Sequence, residues 1–218
     1  MIDRIDFLAK FINESELIDN RCSSYAVIKE EIEKNKKDGH VGAILYLEKR
    51  ADEKEIFITE EDIKKTHELI FRESEIWSNK NHPEWAGKYR EGAPLIGELG
   101  GISPEKIPRK MEELIKVLNK CQMLFLYQKK RKCENNFENK VELISNFHYH
   151  FGIVNPFYNC NGRVNRALLF YLLKYFYLPP FVITYNEKPE YLGAFIAQDP
   201  QLLYELFLKK INQQKEPA

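Results

Sequence analysis

The feature that most constrains the fold is a polar segment, NPFYNCNGRVNR (155–166), which lies between two strongly apolar stretches. The stretches on both sides have the length and apolar character of buried helices. They are VELISNFHYHFGIV before the segment and RVNRALLFYLLKYF at its end. The second helix has to end at Pro179–Pro180, because proline cannot continue a helix. The segment therefore predicts a helix–loop–helix with a dense polar loop.

Helical periodicity also dominates the rest of the chain. Thr59 followed by Asp62 predicts the start of an amphipathic helix through TEEDIKKTHELIF. The later stretch around PLIGELG is rich in glycine and proline, which suits a short β-hairpin. We predict an all-α fold with one short β-hairpin, in which an N-terminal helical extension (1–57) packs on a core with C-terminal helices (58–218).

Composition excludes several classes of function. The chain of 218 residues has a formal net charge of zero, so no overall field attracts nucleic acid or an acidic membrane. No stretch reaches the roughly 20 apolar residues that a membrane span needs. The 4 cysteines are scattered without a C-x-x-C pair, which argues against a zinc site and a disulfide framework. We expect a soluble cytoplasmic domain without nucleic-acid or membrane partners, with export into a host cell left open.

The polar loop has the composition of an anion-binding site. Asn161 and Gly162 fall at the start of the second helix, where free N–H groups and the helix dipole attract anionic oxygen. Arg163 and Arg166 are three residues apart, so they share one helical face, and each can bind a phosphate group bidentately. The alternative is an ordinary Asn/Gly-rich turn with two surface arginines, and the residues alone leave both interpretations open.

The segment resembles the signature of the Fic (Fido) family, which runs His-Pro-Phe-x-Asp/Glu-Gly-Asn-Gly-Arg-x-x-Arg. Three specified positions differ, because Asn155 replaces the histidine, Asn159 the acid and Cys160 a glycine. The runs ITEEDIKKTHELIF, AGKYRE, FHYHFGIV and PEYLGAF resemble further segments of the family. The likeness extends from about Ile58 to Phe195.

The resemblance implies transfer of AMP from ATP to a hydroxyl group of another protein. By position in the signature, Asn161 and Gly162 would hold the α-phosphate, and Arg163 and Arg166 the outer phosphates. Cys160 would lie with them in the nucleotide-binding loop.

The resemblance also implies a metal ion and a protein partner. Asn159 stands where the family's acid ligates Mg²⁺, but it is a doubtful ligand because a carboxamide carries no charge. Leu95, Ile96 and Gly97 would form a hairpin flap that pairs with an extended segment of a target protein.

The departures from the signature predict a damaged chemical step. Asn155 stands at the position of the general base, and a carboxamide cannot accept a proton near neutral pH. Losing general-base catalysis costs about 10²–10⁴-fold in rate. His148 lies about two turns earlier, too far to substitute for the base, and we expect it to be a buried core histidine. We predict a scaffold that keeps its nucleotide site, with weak, altered or absent AMP transfer.

Two alternatives stay open. A non-catalytic binding module would hold a partner protein through the flap or the exposed surface of its helices. Cys160 and Arg166 also have the Cys-x₅-Arg spacing of tyrosine phosphatases, in which a thiolate attacks phosphorus. That loop should follow a strand, whereas here a helix is predicted before it.

Many Fic proteins carry an inhibitory helix with a Ser/Thr-x-x-x-Glu-Gly/Asn signature, whose glutamate competes for the second arginine. The stretch CSSYAVIKEE (22–31) lies at a suitable place in this chain. However, Ile28 and Lys29 stand where the signature would require Glu and Gly or Asn after Ser24. A plain amphipathic helix is the better interpretation, and the sequence predicts no inhibitory element.

Overall fold

The computed structural model is an all-α protein. It describes residues 3–54, 57–73, 80–94, 101–131 and 137–214. Within these ranges the regular secondary structure is helical and contains no strand, as the all-α prediction requires. The predicted hairpin with Leu95, Ile96 and Gly97 lies outside the described residues.

The described residues include nine α-helices and three 3₁₀ turns. The helices are α1 (Arg4–Ile18), α2 (Tyr25–Glu33), α3 (Gly39–Asp52), α4 (Glu60–Glu73), α5 (Ile107–Lys130), α6 (Phe137–Val154), α7 (Asn161–Tyr175), α8 (Lys188–Ile196) and α9 (Pro200–Gln213). None of them is long and apolar enough to cross a membrane.

Helix α7 is the centre of the fold. It packs against α1, α3, α4 and α6, and residues such as Val164, Leu168 and Leu172 are almost fully buried. A helix that is apolar nearly all round needs cover on every side, so the N-terminal helices are part of the core packing. The same cover encloses the polar first turn of α7, where Arg163 and Arg166 are buried.

The start of α4 follows the sequence prediction and also fixes α3 against it. The N–H of Thr59 donates to the carboxylate of Asp62, and the N–H of Asp62 donates to the Thr59 hydroxyl at 3.2 Å. This reciprocal pair caps the helix. The same carboxylate accepts two hydrogen bonds from the guanidinium of Arg50 on α3, at 2.9 and 3.0 Å.

Helix α1 brings its C-terminal turn to the start of α7. Its apolar face is buried through Leu8, Phe11 and Ile12, and the ring of Phe11 lies 5.6 Å from that of Phe170 on α7. The last residues of α1 therefore lie beside the polar loop that the sequence singled out.

Candidate anion-binding site

The loop between α6 and α7 is bounded by two residues with left-handed backbone conformation. Asn155, directly after α6, has a φ of 48°, and Cys160, directly before α7, has a φ of 62°. Asparagine tolerates this region, whereas a cysteine there is uncommon. Glycine, which the family signature has at the position of Cys160, adopts it without steric cost.

Two asparagine side chains hold the loop in shape. Asn161 accepts a hydrogen bond from the N–H of Phe157 at 2.9 Å and donates one to the carbonyl of Phe157 at 2.7 Å. The side-chain oxygen of Asn159 accepts from the N–H of Cys160 at 2.7 Å. Cys160 provides no side-chain cap for α7, so the first N–H groups of this helix stay available to an anion.

Arg90 connects the loop to the segment predicted as the flap. Its buried guanidinium donates to the carbonyl of Asn155 at 2.8 Å, to that of Gly92 at 2.8 Å and to that of Ile102 at 2.5 Å. One side chain therefore links Gly92 and Ile102, which precede and follow residues 95–97 in the sequence, to the loop. The sequence indicated the run AGKYRE but not this role, because it depends on contacts distant in the chain.

Aromatic stacking fixes the loop from two sides. The ring of Phe157 lies parallel to that of His67, with centroids 3.8 Å apart, and the N–H of Gly87 donates to His67 Nδ1 at 2.9 Å. Burial lowers the pKa of His67 to about 3, so this ring is neutral. Tyr158 stacks on Trp85 with centroids 4.0 Å apart.

The arginines of the loop are buried, with 3% of each side chain exposed. Arg166 donates from Nη2 to Asp19 Oδ1 at 2.7 Å, from Nε to the Ser15 hydroxyl at 2.8 Å and from Nη2 to the Ser15 carbonyl at 2.8 Å. Arg163 forms ion pairs with Asp19 Oδ2 at 3.3 Å and with Glu16 at 3.7 Å. The interpretation of both as surface arginines on an ordinary turn is therefore wrong.

The carboxylate of Asp19 lies beside Gly162, between the start of α7 and the two arginines. A Cβ atom added at Gly162 would lie 3.1 Å from Asp19 Oδ1 and 3.0 Å from Arg166 Nη1. The carboxylate thus contacts both guanidiniums next to the start of α7, where helix dipole and N–H groups favour negative charge.

Ser15 and Asp19 are the site residues that the sequence analysis missed. Ser15-Glu16-Leu17-Ile18-Asp19-Asn20 has the spacing of the family's inhibitory signature, with aspartate in place of glutamate. The prediction for 22–31 is confirmed, because α2 is a plain amphipathic helix with Ile28 and Ile32 buried. The expectation that no side chain competes for the second arginine is wrong, and the S-x-x-x-D-N spacing was the available signal.

Glu16 supports this arrangement as a buried charge. Its Oε1 lies 2.8 Å from Nδ1 of His40. Burial alone would raise the pKa of Glu16, but the hydrogen bond with His40 and the charges of Arg163 and Arg21 lower it to about 2. Glu16 is therefore ionised at neutral pH and remains a partner for Arg163.

The described residues offer no replacement for the general base at Asn155. His148 is buried, and its Nε2 lies 2.8 Å from the Tyr191 hydroxyl. Burial and the charge of Arg166 lower the pKa of His148 to about 3, which confirms it as a structural core histidine. His148 therefore does not replace the histidine that the family signature has at the position of Asn155.

The described residues also fit a divalent cation poorly. No group of three His, Cys, Asp or Glu side chains in this part of the chain could hold a metal ion. At the position of the family's acid, the amide oxygen of Asn159 is neutral and accepts a hydrogen bond from the loop itself. A hard cation such as Mg²⁺ prefers charged oxygen ligands.

The surroundings of Cys160 differ from those of a phosphatase loop. Its Sγ accepts from Nη2 of Arg163 at 2.9 Å, whereas Arg166 binds Asp19 and Ser15. Helix α6, not a strand, leads into the loop. This context contradicts the Cys-x₅-Arg interpretation.

An all-α fold with two buried arginines in the first turns of its central helix indicates the class of protein. The model of the Fic/DOC family matches residues 57–173, and the chain belongs to this family.

Solved structures share the fold at low sequence identity. A Fic domain-containing signaling protein from Bacteroides thetaiotaomicron is 19% identical, with a TM-score of 0.68, over 96% of this chain and 82% of that one. A fragment of Fic-1 from C. elegans is 18% identical, with a TM-score of 0.70, over 98% and 64%. A Fic family protein from Desulfovibrio desulfuricans is 18% identical, with a TM-score of 0.64, over 95% and 63%. This chain thus spans less than two thirds of the last two structures.

Proposed function

We propose that this chain is a nucleotide-binding Fic protein whose AMP transfer is weak, altered or absent. The observation that carries the proposal is the Asp19 carboxylate, which contacts both buried arginines beside Gly162. A site that stabilises an internal carboxylate in this way has the charge and the donors to bind a phosphate group.

ATP binding would replace the internal anion. Gly162, Asn161 and Cys160 would surround the α-phosphate, while Arg163 and Arg166 would bind the outer phosphates. Because Arg166 is held by α1, the nucleotide has to displace the α1 carboxylate, which lowers its apparent affinity by the fraction of open molecules.

The lost base limits the chemistry of the site. Asn155 cannot remove the proton of an attacking hydroxyl group, so transfer from a bound nucleotide would be slower by about 10²–10⁴-fold than with a base. Asn159 is a poor ligand for Mg²⁺, and the target-binding role of Leu95, Ile96 and Gly97 stays a prediction. Nucleotide binding by this site is thus better supported than catalysis.

Restoring the signature tests the proposal. We would combine Asn155→His, Asn159→Asp and Cys160→Gly with Asp19→Asn, and measure transfer of label from α-labelled ATP to the chain itself and to added proteins. We expect labelling by the restored variant, little or none by the natural chain, and none when Arg166→Ala is added to the restored variant. Strong Mg²⁺-dependent labelling by the natural chain that disappears with Arg166→Ala would contradict the proposal.

One observation favours a second candidate, the non-catalytic binding module. Helix α5 exposes an apolar stripe, with Val117 at 59%, Leu124 at 48% and Tyr127 at 54% exposure. A restored variant that is folded but neither binds nor transfers nucleotide would favour the binding-module function. It then predicts that Leu124→Glu abolishes capture of a partner protein, while Arg166→Ala leaves capture unchanged.

A further inference from the structure

A cavity of about 490 Å³ lies next to the anion site and shares α1 and Arg163 with it. Its walls come from α1, the connection 20–24, α2, the start of α3, and α4. Arg163 is the one residue of the segment 155–166 that lines it, so Gly162 and Arg166 do not belong to its wall. The volume is in the range of sites for small molecules.

The charged groups of this wall leave one cation without a partner. Lys36 forms ion pairs with two of the acids in the wall, at 2.8 and 3.5 Å, and Glu16 lies 2.8 Å from His40. The guanidinium of Arg21 forms neither an ion pair nor a hydrogen bond with the described part of the chain. A partly buried cation in such a position favours an anionic ligand.

Arg163 contributes unused hydrogen-bond donors to the same wall. With 3% of its side chain exposed, its guanidinium makes one hydrogen bond within the described residues, to Cys160 Sγ. Its Nε forms an ion pair with Asp19 Oδ2 at 3.3 Å but no hydrogen bond, and its Nη1 is 3.7 Å from Glu16, beyond good hydrogen-bond distance. Buried donors that stay unpaired cost free energy, which a ligand oxygen would recover.

The two arginines also repel each other. Burial lowers the pKa of Arg21, and the positive charge of Arg163 lowers it further. The carboxylates of Glu16 and Asp19 offset part of this repulsion, and a phosphate between the two guanidiniums would offset more of it.

The rest of the wall suits an apolar body. Ile12, Ile28, Val41 and Ile70 line the cavity, and the hydroxyl group of Ser24 adds a donor. We propose that this cavity binds a small phosphate monoester, with the phosphate between Arg21 and Arg163 and an apolar body against the isoleucines. A phosphate has enough oxygens to bind two guanidiniums at once. A carboxylate has only two oxygens, and a bidentate contact with one guanidinium occupies both.

Calorimetric titration with phenyl phosphate tests this proposal, because the compound combines a phosphate with an apolar ring. We expect saturable binding to the full chain, at least tenfold tighter than inorganic phosphate. Arg21→Gln should weaken phenyl phosphate binding at least tenfold, and Arg21→Lys less. The matched control Arg109→Gln, which changes an exposed arginine on α5, should leave it unchanged.

Two results would overturn the proposal. One is the absence of phenyl phosphate binding to a folded natural chain at millimolar concentration. The other is binding that Arg21→Gln does not weaken, or that Arg166→Ala weakens as strongly as Arg21→Gln does, since the ligand would then occupy the nucleotide site. The proposal is separable from the proposed function, because ATP binding by Asp19→Asn is expected to persist when Arg21→Gln is added.

Discussion

At the residue scale, function depends on a few side chains that hold each other in a buried polar cluster. Arg166 is enclosed and relies on Asp19 and Ser15 for its hydrogen bonds. A buried ion pair contributes little net stability, but removing one partner leaves the other charge uncompensated. The cost of breaking this pair therefore measures how strongly α1 occupies the site.

Replacing Asp19 with asparagine tests the pair. We expect Asp19→Asn to lower the free energy of unfolding by about 3 kcal/mol, because the buried Arg166 loses its anionic partner. Ser15→Ala should cost only about 1 kcal/mol, since Arg166 keeps both Asp19 and the Ser15 carbonyl. Urea denaturation of the three proteins measures both values. Equal stability of Asp19→Asn and the natural chain would contradict the buried pair.

A glycine beside the loop provides a second test at this scale. Gly101 has a φ of 65°, and a Cβ there would lie 2.5 Å from Nη2 of Arg90. Gly101→Ala should lower the free energy of unfolding by about 2 kcal/mol, through left-handed strain and displacement of Arg90. Thermal unfolding monitored by circular dichroism measures the change, and an unchanged midpoint would show that Arg90 does not need this position.

At the element scale, the contact between α6 and α8 keeps the end of α6 in place before the loop. Gly152 on α6 lies against Phe195 on α8, so that an added Cβ would be 2.3 Å from the phenyl ring. Gly193 on α8 has no atom within 4 Å of an added Cβ. The two glycines therefore form a matched pair for testing this packing.

We expect Gly152→Ala to destabilise the protein by about 1–3 kcal/mol, because the ring has to move in a packed core. Gly193→Ala should be neutral or stabilise by up to about 1 kcal/mol, because alanine favours a helix more than glycine does. Chemical denaturation of both variants gives the comparison. If both variants lose the same stability, the α6–α8 contact is not the cause.

The features of the fold that the sequence predicts depend on residues close together in the chain. The helix–loop–helix around 155–166 and the capping pair of Thr59 and Asp62 depend on neighbours in sequence, so pattern and propensity indicate them. The contact of Arg166 with Asp19 spans 147 positions, and the S-x-x-x-D-N spacing of residues 15–20 was the one sequence signal for it. The role of Arg90 was hidden, because its acceptors are backbone carbonyls, which no residue type marks.

At the scale of the whole molecule, α7 forms the centre and the N-terminal helices close it on one side. The family model begins at residue 57, yet α1 and α3 pack directly on α7. The buried polar groups of the core include neutral histidines, notably His67 and His148, and these couple global stability to pH.

Acid should destabilise the protein well above the pH at which most carboxylates titrate. Burial lowers the pKa of His67 and of His148 to about 3, so the unfolded chain binds more protons below pH ~6.5. Stability is complete above that pH and falls as pH decreases toward 3, by about 1.4 kcal/mol per pH unit for each histidine. Urea denaturation at pH 7.5, 6 and 5 checks this slope.

Two variants test whether the buried histidines cause this dependence of stability on pH. His67→Gln and His148→Gln should each remove part of the pH dependence between 6 and 5, because each removes one buried neutral histidine. A slope that neither variant changes would mean that other groups govern acid stability.

The most direct test of the central claim is an ATP titration of the natural chain and of Asp19→Asn by calorimetry. If the start of α7 and its two arginines form a nucleotide site that an α1 carboxylate occupies, Asp19→Asn should bind ATP at least tenfold more tightly than the natural chain. Adding Arg166→Ala should abolish that gain. A folded Asp19→Asn variant that binds ATP no better than the natural chain, or not at all, would contradict the account.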